Sequence, residues 1–92
     1  SKEAIQDLND IWVYTLHKWS KNQADRYFAL IIAEIEFIAD NFNAGRSIEG
    51  TRKNYRVSKV KSHLIFYRKS GTDVVEVVRI FHQRMDVKKR LI

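Results

Sequence analysis

Apolar residues recur every three or four positions through the first half of the chain and every second position through the rest. Ala4, Ile5, Leu8, Ile11, Trp12, Thr15, Leu16 and Trp19 fall on one stripe, which predicts a helix over 2–19. Ser1 stands where an N-cap belongs, with Glu3 in the first turn. Ser20-Lys21-Asn22-Gln23 has the form of a capping box, so one helix stops and another starts within a few residues. The second helix is expected over 20–43, with Ala24, Tyr27, Phe28, Ile31, Ile35, Ile38 and Phe42 on its main stripe. Leu30, Ala33 and Phe37 widen that stripe. Asn43-Ala44-Gly45 supplies the stop, with Gly45 suited to a left-handed conformation. Two helices joined this tightly fold back as an antiparallel hairpin.

After Gly45 the period becomes two. Residues 46–54 read as a polar loop, and strands are expected over 54–60, 62–69 and 73–82. The turn Lys69-Ser70-Gly71-Thr72-Asp73 lies between the last two strands. The final strand is almost continuously apolar, Val74-Val75-Glu76-Val77-Val78-Arg79-Ile80-Phe81, and ends in His82-Gln83-Arg84-Met85-Asp86. Residues 86–91 make at most one helical turn. Helix-helix-strand-strand-strand defines an α+β fold, with the helical hairpin packed on one face of an antiparallel meander. The last two strands are apolar on both faces, more than a singly covered sheet needs. A further element or a partner is therefore expected on the second face.

Ninety-two residues with 45% hydrophobic side chains make a single domain. Without cysteine there is no disulfide framework or thiolate metal site, which suits a cytoplasmic protein. No stretch is apolar over the roughly 20 residues that span a bilayer, and no signal peptide opens the chain, which begins at Ser1 rather than Met. The net charge of +6 is unevenly placed. Residues 1–43 carry four Lys/Arg against seven acids, and residues 44–92 carry thirteen against four. The basic half calls for an acidic partner, either nucleic acid or an acidic protein segment.

Candidate chemistry is sparse. The three glycines form no phosphate loop. His17, His63 and His82 lack ligand spacing, so neither metal nor cofactor is expected. One enzymatic option is acid–base cleavage of RNA by His82, with Arg56, Arg68, Arg79 or Arg84 holding the phosphate. The plainer reading makes His82 a structural imidazole. It makes the arginines a solvated rim or ion-pair partners of Glu76 and Asp86. Trp12 and Trp19 read as core.

Four segments, in order, resemble the ParE branch of the RelE/ParE toxin superfamily of type II toxin–antitoxin systems. They are Ala4 through Trp12, with Asp7-Leu8 and the aromatic Trp12; Trp19 through Ala24 with Tyr27; Tyr55-Arg56 followed by Leu64-Ile65-Phe66-Tyr67-Arg68; and Arg79-Ile80-Phe81-His82-Gln83-Arg84-Met85-Asp86. The resemblance implies a strand before the first helix, expected to precede Ser1; without it the sheet would keep an exposed edge. It also implies a cognate antitoxin from the same operon and one of two activities. RelE-type relatives cleave messenger RNA on the ribosome, and ParE-type relatives poison DNA gyrase. Nuclease relatives use an arginine near the start of the middle strand, where this chain has Leu64, whereas His82 matches a histidine that some of them use. The closing motif favours the gyrase branch.

On that reading Arg79, Arg84, Met85, Asp86, Lys88, Lys89 and Arg90 form the target-contact surface. Arg56, Tyr67 and Arg68 support it or touch the antitoxin, and His82 organises the strand end through Asp86. The nuclease alternative would use His82, Arg56 and Arg84. A third possibility is a basic, non-catalytic nucleic-acid-binding module. Against it, Phe66, Tyr67 and Phe81 lie in apolar runs rather than in a stacking array.

Overall fold

The computed structural model describes residues 1–71 and 73–85. Helix α1 spans Lys2–Lys18 and α2 spans Lys21–Asp40. Each is capped as expected: Ser1 Oγ accepts from the Ala4 amide and Ser20 Oγ from the Gln23 amide, both at 3.1 Å. Such caps satisfy amides that the first helical turn leaves without partners. Helix α2 ends earlier than its periodicity suggests. Asn41 Nδ2 donates to the Phe37 carbonyl at 2.9 Å, and a 3-10 turn over Phe42–Ala44 follows.

The sheet has four antiparallel strands rather than three. Its order is β1 (Arg46–Ser47), β2 (Arg56–Val60), β3 (His63–Ser70), β4 (Val74–His82). Strand β1 falls in the expected loop; two polar residues pairing with Val57 and Arg56 are too short to leave an alternation. Gly45 is not left-handed, having φ −76° and ψ 165°. Its requirement is spatial: a Cβ there would collide with the Tyr67 hydroxyl and stand 2.8 Å from the Val57 carbonyl oxygen. Gly71, with φ 75°, does take the left-handed conformation in the β3–β4 turn.

Strand β4 changes face partway along. From Ser70↔Val74 to Tyr67↔Val77 the β3–β4 register is regular, but the next pair is Phe66↔Arg79, so an extra residue bulges between them. Bulges re-aim the side chains beyond them. Val75 and Val77 before it and Ile80 after it all pack on the helical side, with Ile31, Ile38, Ile65 and Tyr67. This explains why β4 reads as apolar on both faces.

The opposite face carries a second cluster of Tyr55, Val57, Phe66 and Phe81, joined by Ile48, Leu64, Val78 and Met85. Phe66 and Phe81 are only 2% and 1% exposed, so the centre of that face is covered within the chain. Guanidinium groups lie over its aromatics, Arg52 and Arg68 on Tyr55 and Arg79 on Phe81. Apolar surface stays exposed along the widened stripe of α2, at Leu30, Ala33 and Phe37, and also at Ile5 and Val74. Trp19 is also exposed, at 66%, because α1 ends one residue before it and the helical turn carries it off the stripe. Trp12 is half-buried, and its indole N–H donates to Asp25 at 3.0 Å.

Gly45→Ala is expected to destabilise the fold by about 2 kcal/mol through overpacking. Thermal unfolding should then shift down by roughly 10 °C for a domain of this size. An unchanged melting temperature would show that Tyr67 can move aside.

Candidate functional site

The site lies at the end of the sheet where β2 turns into β3 and β4 finishes. His82 closes β4, and its Nδ1 accepts from the Arg84 amide at 3.1 Å. The Gln83 amide donates to the Ser62 carbonyl at 2.8 Å and the Met85 amide to the His82 carbonyl at 2.9 Å. The closing segment is thus folded onto the β2–β3 turn. The His82 ring is bonded to the Arg84 backbone at the strand end. Asp86, its expected partner, lies outside the described residues, as do Lys88, Lys89, Arg90 and the anticipated last helical turn. Arg84 is exposed and Met85 half-buried.

Most other arginines of interest are committed to the fold. Arg79 makes a two-pronged ion pair with Asp7 of α1, at 2.7 Å from Nε and 2.9 Å from Nη2. The same carboxylate accepts from the Ile80 amide at 3.0 Å. Asp7 holds Arg79 still more firmly protonated than an ordinary guanidinium. Arg79 is therefore a tether between α1 and β4 rather than an open contact residue. Arg56 donates to the Gly45 carbonyl at 3.0 and 2.6 Å and to that of Asn43 at 3.1 Å, tying down the chain after α2. Arg68 pairs with Glu76 at 3.0 Å, and that bond raises its pKa. Tyr67 is fully buried. Its hydroxyl donates to the Phe42 carbonyl and accepts from the Gly45 amide, so it supports the fold.

Of the nuclease set, His82 and Arg84 are side by side, the Arg84 amide bonded to the His82 ring, whereas Arg56 lies apart from them. Arg56 pairs with Tyr67 at one end of β2, while Val60, at the other end, pairs with His63 opposite His82. Four residues of extended strand separate the two rows by roughly 13 Å.

His63 and Tyr27 join the site without having been singled out in the sequence. The bulge in β4 sets His63 directly across from His82, with the rings edge to face and 5.3 Å between centroids. Tyr27 Oη donates to the Val60 carbonyl at 3.2 Å and shares a 2.6 Å hydrogen bond with His63 Nδ1. Burial, and then the neighbouring His82, push His63 down to about 4. It stays neutral at physiological pH.

Both histidines open into a groove of about 840 Å³ bounded by the turn of the helical hairpin. Ile11, Leu30 and Ile80 give it an apolar floor, and Tyr14, Trp19 and Tyr27 line it with aromatic rings. Among the described residues no three His, Asp or Glu side chains converge as metal ligands, and no helix is long and apolar enough to cross a membrane.

A hairpin of two helices on an antiparallel sheet, with a folded-back closing segment, is the architecture implied by the toxin resemblance. The family model described as the ParE toxin of the type II toxin–antitoxin system, parDE, matches residues 1–87. Toxin ParE1 of Mycobacterium tuberculosis (strain CDC 1551 / Oshkosh) is 37% identical over 91 residues, covering 99% of this chain and 93% of the relative. Toxin ParE1 of Caulobacter vibrioides matches with the same identity and coverage. Toxin ParE of Escherichia coli is 29% identical over 89 residues, 97% of this chain and 86% of that protein. The chain belongs to the ParE toxin family of type II toxin–antitoxin systems, and such a toxin has a cognate antitoxin as partner.

Two outcomes test this geometry. Asp7→Ala leaves Arg79 without its carboxylate and the Ile80 amide without its acceptor, and should cost about 2–3 kcal/mol in urea unfolding. A loss below about 0.5 kcal/mol would mark the pair as an ordinary surface bridge. Because the folded pKa of His63 is depressed, its contribution is fully present above about 6.5 and is lost as pH falls toward 4. Stability measured at pH 7.5 and pH 5 should therefore differ less in His63→Gln than in the parent.

Proposed function

We propose that the protein arrests growth by binding DNA gyrase and stabilising its cleaved-DNA state, without catalysing a reaction itself, and that a ParD-like antitoxin neutralises it. The observation that carries this reading is where the arginines are held. A phosphodiester-cleaving site needs cations poised beside its acid and base. Three of the four arginines that the sequence offers for that task, Arg56, Arg68 and Arg79, are bonded instead to Gly45 and Asn43, to Glu76 and to Asp7, which leaves Arg84 alone of them beside His82. A poison needs affinity and placement, for which a closing segment fixed by His82 and bearing exposed Arg84 and Met85 is suited. The basic residues Lys88, Lys89 and Arg90, with Asp86, continue that surface in the proposal. The likeness to proteins named ParE and ParE1 supports the same branch.

The antitoxin is proposed to present an acidic, amphipathic tail that folds on binding, matching the net positive charge of the toxin. Arg68 at the rim is the candidate for contact with it, and Arg56 and Tyr67 hold the surrounding chain in place.

Purified protein added to a gyrase supercoiling reaction should accumulate linear DNA, while messenger RNA in a parallel translation extract stays intact. Arg84→Ala should require about 10- to 30-fold more protein for the same effect, the loss typical of a central interface arginine. Messenger cleavage with unaffected gyrase, abolished by His82→Ala, would transfer the protein to the ribosome-dependent nuclease branch.

A further inference from the structure

The groove beside His63 and His82 combines features that the gyrase reading does not use. Trp19 and Tyr14 line it, yet are 66% and 60% exposed. Large flat rings are left in water at the mouth of a concave site, where stacking against a ligand would cover them. Three cations from three separate elements share the same lining: Lys18 at the end of α1, Arg26 in α2 and Lys61 in the β2–β3 turn. None of them is in an ion pair among the described residues. Lys18 instead leans on Tyr14, 3.2 Å from its hydroxyl and 5.6 Å from its ring centre.

The acids of the groove do not cancel this charge. Asp7 is neutralised by Arg79, and Asp10, which accepts from the neutral Gln6 amide at 2.8 Å and keeps its charge, leaves one anion against three cations. Neutral His63 offers a polar nitrogen among the rings, and His82 a second. Lys61 is held with φ 54°, so its side chain leaves the turn from a fixed, left-handed backbone position.

Exposed aromatic faces interleaved with unpaired cations are what single-stranded nucleic acid requires: rings for the bases, positive charge for the phosphates. A volume of about 840 Å³ is that of a small-ligand site, enough for a few unpaired nucleotides and too small for a duplex. We propose that this groove binds a short single-stranded nucleic-acid segment, with bases stacked on Trp19 and Tyr14 and phosphates held by Lys18, Arg26 and Lys61. The proposal is independent of the gyrase reading, since it concerns the purified chain and a different set of residues. An acidic peptide would find the same cations but has no need of open ring faces.

The test is fluorescence anisotropy of a labelled oligo-dT of about ten nucleotides, titrated with the purified protein at two salt concentrations. Saturable binding that weakens with salt is expected. Trp19→Ala should weaken it about 5- to 100-fold, as loss of one base-stacking ring does, and Trp19→Phe should restore most of it. Lys61→Ala should reduce the slope of log affinity against log salt by about 0.7. Lys53→Ala, outside the groove, should change the overall affinity little, and circular dichroism confirms that each variant is folded. The proposal is overturned by absence of saturable binding, by equal affinity for a duplex of the same length, or by indifference to both Trp19→Ala and Lys61→Ala. It is equally overturned if an acidic amphipathic peptide binds through Trp19 while oligo-dT does not.

Discussion

The carboxylate of Asp7 holds the two halves of this molecule in register. It takes both prongs of the Arg79 guanidinium and the outward-pointing amide of Ile80, so one side chain joins α1 to the side chain and backbone of β4. Among the described strands β4 is at the edge of the sheet, where unpaired backbone groups invite unwanted pairing. Ser1 extends the protection by donating from its hydroxyl to the Val78 carbonyl at 2.8 Å. A partly buried pair of this kind is strongly placed because losing either member strands the other. It also accounts for the joint presence of the Asp7-Leu8 motif and the Arg79-containing closing motif, seventy-two residues apart: they are two ends of one bond.

With the hairpin anchored there, its other end is fastened separately. Tyr27 reaches the Val60 carbonyl and His63, and Ser58 is bonded to Glu34. The groove lies between this second fastening and the helical turn, so its shape follows from where the two helices are pinned rather than from residues dedicated to lining it. The closing segment borders the same space through His82 and Met85. Anything that seats in the groove is therefore next to the closing segment.

The helices, their caps and the order of the long strands were legible because local periodicity and capping chemistry are written in adjacent residues. What was not legible depends on contacts distant in sequence. The two-residue β1 has no alternation to detect. Gly45 reads as a helix stop, whereas its need for a missing Cβ comes from Tyr67, twenty-two residues on. The bulge in β4 is the decisive case: regular pairing from Ser70↔Val74 would set His63 against Phe81, and a single extra residue sets it against His82 instead. No spacing rule for histidines could reveal that pair. Trp19 looked like core because it continues the stripe of α1, and the helix ends before reaching it.

Counting charge by halves of the chain misplaced the available cations. The basic half owes much of its excess to arginines that do internal structural work: Arg56 on backbone carbonyls, Arg68 on Glu76, Arg79 on Asp7, Arg52 over Tyr55. Two of the three unpaired groove cations, Lys18 and Arg26, belong instead to the half whose net charge is negative. Net charge describes what a distant ion feels, whereas a ligand at contact distance meets only the cations that the fold has left without a partner. The apolar surface follows the same logic. Beyond Val74 the doubly apolar strands are largely buried on both faces, and the large apolar side chains still facing water include Leu30 and Phe37 on α2, Ile5 on α1, and Tyr14 and Trp19 toward the hairpin turn. Three cations without ion pairs, Lys18, Arg26 and Lys61, and the exposed rings Tyr14 and Trp19 line one groove beside the helical turn, a grouping that a count by halves of the chain cannot reveal.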